Sequence, residues 1–279
     1  MKKPLILVAA LVAAGLVGCD TTRQQNEADT QVVMEDTVST TGAAVKVGEV
    51  MESGGIKMYS FNDSPQYPEA ALRMREPQGF TEPGQVQFTY DITNFQLTKQ
   101  TSGQHAEHMA NSHQGQHIHN IIDNEPYTAH YETSFTKEMQ PGNHVVLSFL
   151  SRSYHESLKH KSAYDLQVVT AGRNQPASTF DVNAPHMFYS RPKGEYVGEE
   201  TKKVMLDFYL VNTDLSPTGN QVRATINGNT FMLKQWLPYI MEGLPMGENT
   251  IKLELVDSNG NLIPGPFNTV ERKITLKAS

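Results

Sequence analysis

Hydrophobic and polar residues alternate along several short stretches of the chain. The alternation is clear at 86–92, 204–210 and 251–256, and the last of these stretches runs into an Asp/Asn/Gly-rich turn at 257–261. Strict alternation over about four to eight residues is typical of a β-strand with one buried face. Short strands separated by Gly, Pro and Asn turns predict an all-β fold of the immunoglobulin-like β-sandwich type.

The pattern occurs twice, in the same order. Four stretches of the first half align with four of the second: 75–79 with 191–194, 85–97 with 203–215, 115–124 with 219–228, and 141–147 with 246–252. A single match of this kind can arise by chance, but four in one order predict two tandem domains of one fold. We place the first domain at 56–172, a linker at 173–183 and the second domain at 184–279.

The beginning of the chain has the features of a secretion signal. Lys2 and Lys3 give it a positive start, and the apolar run 5–17 is too short to span a bilayer. Gly18 and Cys19 resemble the lipobox of bacterial lipoproteins, in which the peptidase cuts before a lipidated cysteine. Cys19 is the only cysteine, so a disulfide within the chain is impossible and lipidation is favoured over an ordinary signal with a chance cysteine.

These features predict a lipoprotein signal peptide at 1–18 and an acylated Cys19 that anchors the body to a lipid bilayer. We expect the protein in the bacterial cell envelope, with its body in the periplasm or on the cell surface. Residues 19–55 are rich in Gln, Thr, Glu, Asp and Ala, a composition that predicts a flexible stalk. The formal net charge of −7 argues against nucleic acid as a partner, because a nucleic-acid binder needs a basic patch.

The two copies of the repeat differ in their histidines. All ten histidines lie between His105 and His186. The first copy also carries a His-rich insertion at 98–114, whereas the second copy crosses the same point with the short segment 216–219. Because long loops on a rigid sandwich often carry binding residues, the first domain is the candidate for function.

The repeat alignment places His117 and His119 on one face of a strand and Ile118 on the core-facing side. Alternate residues of a strand lie about 6–7 Å apart, so these two imidazoles can bind one metal ion if a third ligand approaches. We include His130 and His155 in the predicted metal set. Other candidate ligands are His105, His108, His113, His144 and Met109. Three imidazoles suit zinc, and imidazoles with a thioether suit copper. The alternative is a solvated histidine face that binds no metal.

An apolar outer surface is expected on the first domain alone. Leu147 and Phe149 stand where the second copy has Lys252 and Glu254, and Ile121 lies on the same face. Such a patch needs a cover, which the insertion, the second domain or a ligand can supply. We expect the cover to come from within the chain.

The loop 151–157 concentrates hydroxyl, guanidinium, imidazole and carboxylate groups. Arg152, Tyr154 and Glu156, together with Tyr127, are the predicted ligand-binding residues, because a guanidinium and hydroxyls can bind a carboxylate or phosphate. The alternative is that the loop is a hydrogen-bonded corner, in which Arg152 and Glu156 hold the backbone in place instead of binding a ligand. We call this arrangement the braced corner. Adjacent residues of a turn diverge and do not form a catalytic triad, and no nucleophile elbow or paired carboxylates occur, so we expect a protein that is not an enzyme.

Three stretches carry a family resemblance: Gly-Gln-His-Ile-His at 115–119, Asn-Glu-Pro-Tyr-Thr-Ala-His at 124–130, and the loop 151–157. They resemble a family of poorly characterised bacterial envelope lipoproteins, and the resemblance extends over most of the chain after the stalk, including 184–194. Some of these relatives carry the label "phosphopeptide-binding protein". The resemblance implies an envelope location and this domain architecture.

The hypothesis that the sequence favours is a membrane-anchored, non-enzymatic envelope lipoprotein that binds a ligand or an envelope protein through its first domain. The expected contact surface comprises His117, His119, Tyr127, His130, Arg152, Tyr154, His155 and Glu156. The alternative is a periplasmic copper- or zinc-binding protein that uses His117 and His119 with His130 or His155.

Overall fold

The structure, a computed structural model, describes residues 48–279, which belong to one unit, Ala44–Ser279. The predicted signal peptide, Cys19 and the predicted stalk up to residue 47 lie outside the described residues. Between residues 48 and 279, no helix is long and apolar enough to cross a membrane.

The described chain is built almost entirely of strands. The first ten are β1 (Met51–Ser53), β2 (Ile56–Ser60), β3 (Ala71–Glu76), β4 (Phe80–Thr81), β5 (Gly84–Thr93), β6 (His117–Ile122), β7 (Thr128–His130), β8 (Ser134–Met139), β9 (Gly142–Ser151) and β10 (Tyr164–Ala171). The remaining eight are β11 (His186–Arg191), β12 (Gly194–Val197), β13 (Val204–Val211), β14 (Gln221–Ile226), β15 (Asn229–Leu233), β16 (Tyr239–Glu242), β17 (Gly247–Val256) and β18 (Thr269–Lys277). The helical elements are α1 (His105–His108) and two 3₁₀ turns, Lys161–Ala163 and Gly198–Thr201.

The strands form two sandwiches of the same topology. In the first domain a sheet of order β4-β10-β9-β6-β7 packs on the sheet β3-β5-β8, and in the second a sheet of order β12-β18-β17-β14-β15 packs on the sheet β1-β2-β16-β13-β11. Strand β4 runs parallel to β10, and its counterpart β12 runs parallel to β18. The predicted all-β fold with two tandem immunoglobulin-like β-sandwich domains is confirmed.

The apolar residues of the alternating stretches form the two cores, but one of these stretches, β13, is buried on both faces instead of one. Val86, Phe88 and Tyr90 of β5 are buried in the first core. On β13, Leu206 and Phe208 lie in the second core, but every residue of this strand is buried, so its other face is covered as well. A strand with two covered faces is typically a continuous apolar run.

The beginning of the described chain belongs to the second domain, which corrects two predicted boundaries. Strand β1 lies within the predicted stalk, and β2, predicted to open the first domain, pairs with β16 with Met58 opposite Met241. Ile56 and Met58 are buried in the second core. The chain therefore enters the second domain, forms the first and returns. This pairing joins segments far apart in sequence, so periodicity could not indicate it.

The apolar outer surface of the first domain is covered by the second domain. Ile121, Leu147 and Phe149 are fully buried in one cluster with Phe188 of β11 and Tyr209 of β13. The Phe149 and Tyr209 rings stack with their centroids 4.6 Å apart. The cover comes from within the chain as predicted.

The insertion packs on a different surface. Its Met109 is buried in a separate cluster with Phe61, Tyr154, Met205 and Ile240, residues that come from both domains. The insertion therefore does not cover the outer surface of the first domain, one of the roles that the sequence left open for it.

Candidate metal centre

Strand β6 holds two histidines side by side on the outer face of its sheet. His117 and His119 are fully buried, while Ile118 between them points into the first core. Antiparallel pairing with β9 sets this register, with His119 opposite Phe149. Because the second domain covers this face, the two imidazoles are removed from water although they point away from the core of their own domain.

The third histidine comes from the loop after β9. His155 adopts a left-handed backbone conformation with φ of 68°, inside a turn closed by a 2.9 Å hydrogen bond from the Arg152 amide to the Glu156 carbonyl. His117 Nε2 lies 2.8 Å from His119 Nε2 and 3.0 Å from His155 Nδ1. The three nitrogens all lie within 4.8 Å of one another. We call His117, His119 and His155 the histidine triad.

The tautomer of His117 is fixed by the backbone. Its Nδ1 lies 2.7 Å from the Gly115 carbonyl oxygen, which can only accept a hydrogen bond, so Nδ1 carries the proton. Its Nε2 therefore presents a lone pair to the other two rings. The residue that supplies the carbonyl must be glycine, because φ is 85° and a Cβ would lie 2.4 Å from the Thr98 carbonyl oxygen.

All three imidazoles of the triad are neutral at pH 7. Burial and charge repulsion from nearby Arg191 and Lys193 together lower the pKa of His117 to about 4, although the hydrogen bond to the Gly115 carbonyl opposes them. Burial likewise holds the pKa of His119 and of His155 well below the usual range. Neutral imidazole is the form that binds a metal ion.

The Tyr127 side chain lies between the histidine triad and Arg191 of the second domain. Its ring stacks on His119 with centroids 3.6 Å apart, and its hydroxyl lies 3.2 Å from His155 Nδ1. The hydroxyl also accepts a 3.0 Å hydrogen bond from Arg191 Nε. Burial raises the pKa of Tyr127 far above neutrality, so it stands here as a phenol. The sequence analysis predicts Tyr127 as a ligand-binding residue, and in the structure its side chain contacts the histidines of the triad.

His130 is separate from the triad, which corrects its place in the predicted metal set. It pairs with Ile118 and therefore points to the opposite face of the sheet from His117. Its ring stacks on Phe135 with centroids 3.3 Å apart, and its Nε2 lies 2.7 Å from Thr128 Oγ1. Sequence spacing gave no means to choose between His130 and His155, because the side of the sheet depends on the strand pairing.

Two of the other candidate histidine ligands have partners elsewhere. His105 Nε2 lies 2.6 Å from Asp63 Oδ1, and His144 Nδ1 lies 2.6 Å from Asp123 Oδ2. Met109 lies in the cluster between the insertion and the second domain. Within residues 48–279, the triad is the only group of at least three His, Cys, Asp or Glu residues whose ligand atoms converge in this way.

The predicted ligand-binding residues of the 151–157 loop engage one another. Arg152 Nη1 lies 3.0 Å from Glu156 Oε1, and both side chains are almost fully buried. The Arg152 guanidinium also donates to the Pro65 carbonyl, and Ser64 donates to Glu156. Tyr154 is 1% exposed. This geometry is that of the braced corner, the alternative stated from the sequence, and the brace positions His155.

Arg191 and Lys193 were missed by the sequence reasoning. Arg191 is buried between Tyr127 and Tyr196, and Lys193 Nζ lies 3.9 Å from the centroid of the Tyr127 ring. Burial and the neighbouring Arg191 lower the pKa of Lys193 to about 8, so it is charged at pH 7. The segment that contains them was noted only as part of the repeat and of the family resemblance, and nothing in its pattern indicates contact with the other domain.

No protein-family model and no curated protein matches the chain. Among solved structures, it is similar to the fibronectin(III)-like modules of CbhA from Clostridium thermocellum, at 9% identity and a TM-score of 0.27 over 74% of this chain and 94% of that chain. SGBP-B of the Bacteroides ovatus mixed-linkage glucan utilization locus matches at 10% identity and a TM-score of 0.22, over 74% of this chain and 47% of that chain. At such identities and TM-scores these similarities carry no argument about function.

Proposed function

We propose that this protein is a non-enzymatic lipoprotein of the bacterial envelope whose first domain binds one transition-metal ion through His117, His119 and His155. The observation that carries the proposal is the convergence of three neutral imidazole nitrogens within 4.8 Å of one another, two of them fully buried and that of His155 partly buried. Buried polar atoms normally have hydrogen-bond partners, and three converging lone pairs are better satisfied by a cation than by one another.

Proton counting within the triad supports a metal ion. His117 Nε2 has one lone pair and can accept one good hydrogen bond, yet two imidazole nitrogens lie within 3.0 Å of it. His119 Nδ1 is buried and makes no hydrogen bond within the described part of the chain. Without a metal, one of the two contacts to His117 Nε2 lacks a well-placed proton. A cation bound to all three nitrogens removes that conflict.

The spacing suits a small transition-metal ion after a rearrangement of the rings. Metal–imidazole bonds of about 2.0–2.1 Å at tetrahedral angles separate the nitrogens by roughly 3.3 Å. The two separations that involve His117, 2.8 Å and 3.0 Å, need to open by a few tenths of an ångström. The third separation, between His119 and His155, lies within 4.8 Å and must reach the same roughly 3.3 Å, which a rotation of the His155 side chain can supply. Among residues 48–279, the centre has neither a carboxylate nor a thiolate as a further ligand, and imidazoles alone favour copper or zinc over harder ions.

The envelope location rests on the sequence alone. The apolar run before Gly18 and the single Cys19 favour acylation of that cysteine, and the polar segment after it would tether the metal-binding body to the membrane. Cys19→Ser should move the protein from the membrane fraction to the soluble fraction. Mass spectrometry of the N-terminal peptide measures the acyl chains directly, and an unmodified Cys19 in a membrane-bound protein would contradict the proposal.

The metal-binding proposal is tested by titrating Cu(I), Cu(II) and Zn(II) into the untagged chain from residue 19 carrying Cys19→Ser. We expect one ion per chain with a dissociation constant below about 1 μM. His117→Ala/His119→Ala and, separately, His155→Ala should weaken binding by at least about 100-fold, because each removes direct ligands. The matched control is His105→Ala/His108→Ala, which removes two histidines outside the triad.

Circular dichroism and thermal unfolding of each variant show that the fold survives. Weak binding that is equal in the natural protein and both triad variants would contradict the proposal. The histidines would then be a hydrogen-bonded cluster, and the protein-binding hypothesis would take precedence.

A further inference from the structure

The surroundings of the histidine triad carry positive charge. Arg191 Nε donates to the Tyr127 hydroxyl over 3.0 Å, and Lys193 Nζ lies 3.9 Å from the centroid of the same ring. That ring stacks directly on His119. One aromatic side chain therefore separates two cations of the second domain from the metal ligands of the first, and of these two, Arg191 is buried whereas Lys193 is partly exposed.

In the described part of the chain, no carboxylate pairs with these two cations at the triad. Glu156 follows His155 directly in sequence, but its carboxylate pairs with Arg152 on the braced corner. Within residues 48–279, the side-chain hydrogen bonds of Arg191 and Lys193 go to tyrosine hydroxyls and to a backbone carbonyl, and neither forms an ion pair.

The affinity of the triad for an ion therefore depends on the charge of that ion. Three neutral imidazoles leave that charge uncompensated. The repulsion between the ion and each nearby cation scales with the product of their charges, so a divalent ion is disfavoured twice as strongly as a monovalent one. The Tyr127 hydroxyl beside the triad already accepts a hydrogen bond from Arg191.

We infer that the ion held by the triad is Cu(I). The inference rests on the proposed metal-binding function and specifies its ion and oxidation state. Cu(I) is satisfied by the three nitrogens that the triad provides, whereas Zn(II) takes a fourth ligand and Cu(II) prefers a tetragonal set. Arg191 and Lys193 act as selectivity residues that favour the lower charge without touching the ion.

The test compares Cu(I), Cu(II) and Zn(II) dissociation constants at pH 7 for the mature chain carrying Cys19→Ser. Chromophoric chelators compete for each ion, and the Cu(I) series is kept anaerobic with ascorbate. We expect Cu(I) to bind more tightly than Cu(II) and Zn(II). Lys193→Gln should reduce the preference for Cu(I) over Cu(II) about tenfold, because it removes one nearby charge. That change equals a fall of about 59 mV in the potential of a one-electron couple.

Two control variants separate charge from structure. Lys193→Arg keeps the charge and should keep the preference. Lys234→Gln removes the same charge from an exposed lysine of the second domain and should leave the preference unchanged.

The outcomes distinguish the two proposals. If Cu(II) or Zn(II) binds at least as tightly as Cu(I), or if Lys193→Gln leaves the preference unchanged, the Cu(I) inference is overturned while the metal-binding function stands. If none of the three ions binds to the triad below about 1 μM, the proposed function itself fails, and this inference with it.

Discussion

At the residue scale, the histidine triad depends on two unusual backbone positions. His155 has a positive φ of 68°, a conformation that costs a non-glycine residue of the order of 1 kcal/mol. A 2.9 Å hydrogen bond from its own amide to the Arg152 carbonyl holds the turn in place. The second position is Gly115, whose carbonyl orients His117. The ligands are thus positioned by the backbone before any ion arrives.

We predict that Gly115→Ala weakens both the fold and the metal site. The new Cβ would lie 2.4 Å from the Thr98 carbonyl oxygen at a φ of 85°, so the carbonyl that accepts from His117 must shift. The free energy of unfolding should fall by about 2–3 kcal/mol, and metal affinity by about 10–100-fold. Chemical denaturation and chelator competition measure the two effects.

Gly228→Ala is the matched control for this change. Gly228 has the same φ of 85°, but a Cβ there meets nothing within 4 Å. It should show the cost of the backbone conformation alone, about 1 kcal/mol, with unchanged metal affinity. Equal metal affinity in both variants would contradict the orienting role of the Gly115 carbonyl.

We predict that Tyr127→Phe costs stability while metal binding persists. The hydroxyl accepts the 3.0 Å hydrogen bond from buried Arg191, and its loss leaves that donor without an acceptor. The free energy of unfolding should fall by about 2 kcal/mol, whereas metal affinity should change less than about tenfold because the stacked ring remains. Tyr131→Phe, which loses a bond to Ser112 at a partly buried site, is the milder control.

At the element scale, the insertion connects the second domain to the loop that carries His155. Its Met109 packs with Phe61 and Ile240, and its Ser112 amide donates to the Ser153 carbonyl over 2.9 Å. The composition of the insertion suggested metal ligands, but His105 instead binds Asp63 of the segment after β2. The insertion therefore packs against the second domain and supports the braced corner that carries His155.

We predict that Asp63→Asn loosens the insertion. Asp63 accepts hydrogen bonds from His105 and Gln104, and these bonds lower its pKa despite the opposing effect of burial. Amide hydrogen exchange at 106–109 should become faster in the variant. Asp123→Asn breaks a His–Asp contact of the same 2.6 Å length with His144, and it should leave exchange in the insertion unchanged.

The same contact predicts a pH dependence. Because the pKa of Asp63 is lower in the folded protein than its ordinary value of 3.8, the contact stabilises the docked insertion above that pH and is lost as the pH falls further. The insertion should therefore become more sensitive to a protease active in acid below about pH 4, and Asp63→Asn should abolish that change. An equal acid response in the variant would contradict this assignment.

At the scale of the whole molecule, the outer faces of the two domains differ because one is an interface. Phe149 occupies the repeat position of Glu254, and Phe149 stacks on Tyr209 of the other domain. Glu254 instead pairs with Arg223 and Lys252, whose side chains are partly exposed on the second domain. The interface brings Arg191 and Lys193 of the second domain next to the triad, so these two charges act on the centre only when the domains are docked.

We predict that Phe149→Ala uncouples the two domains. Truncating this fully buried ring should cost about 3–5 kcal/mol and replace one cooperative unfolding transition with two, measured by calorimetry. Glu254→Ala at the equivalent position should cost less than about 1 kcal/mol and keep a single transition, because partly exposed ion pairs contribute little. A single transition in Phe149→Ala would show that other contacts suffice to couple the domains.

The sequence by itself determined the elements and the faces of the strands. Alternation and the repeat predicted two β-sandwiches, and the repeat alignment placed His117 and His119 opposite the core-facing Ile118. Strand β13 carries apolar residues on both faces and only one polar residue, Asp207, which indicates a strand covered on both sides; the sequence analysis noted only its alternation. These features are local, because side-chain direction along a strand follows the backbone geometry of neighbouring residues.

Only the tertiary structure decided which distant residues meet. It selected His155 over His130 as the third imidazole, placed β2 in the second domain, and set Arg191 and Lys193 beside Tyr127. These outcomes depend on strand pairing and domain docking between segments far apart along the chain. No periodicity within one segment encodes them, because the energy that fixes them comes from surface that both partners bury together.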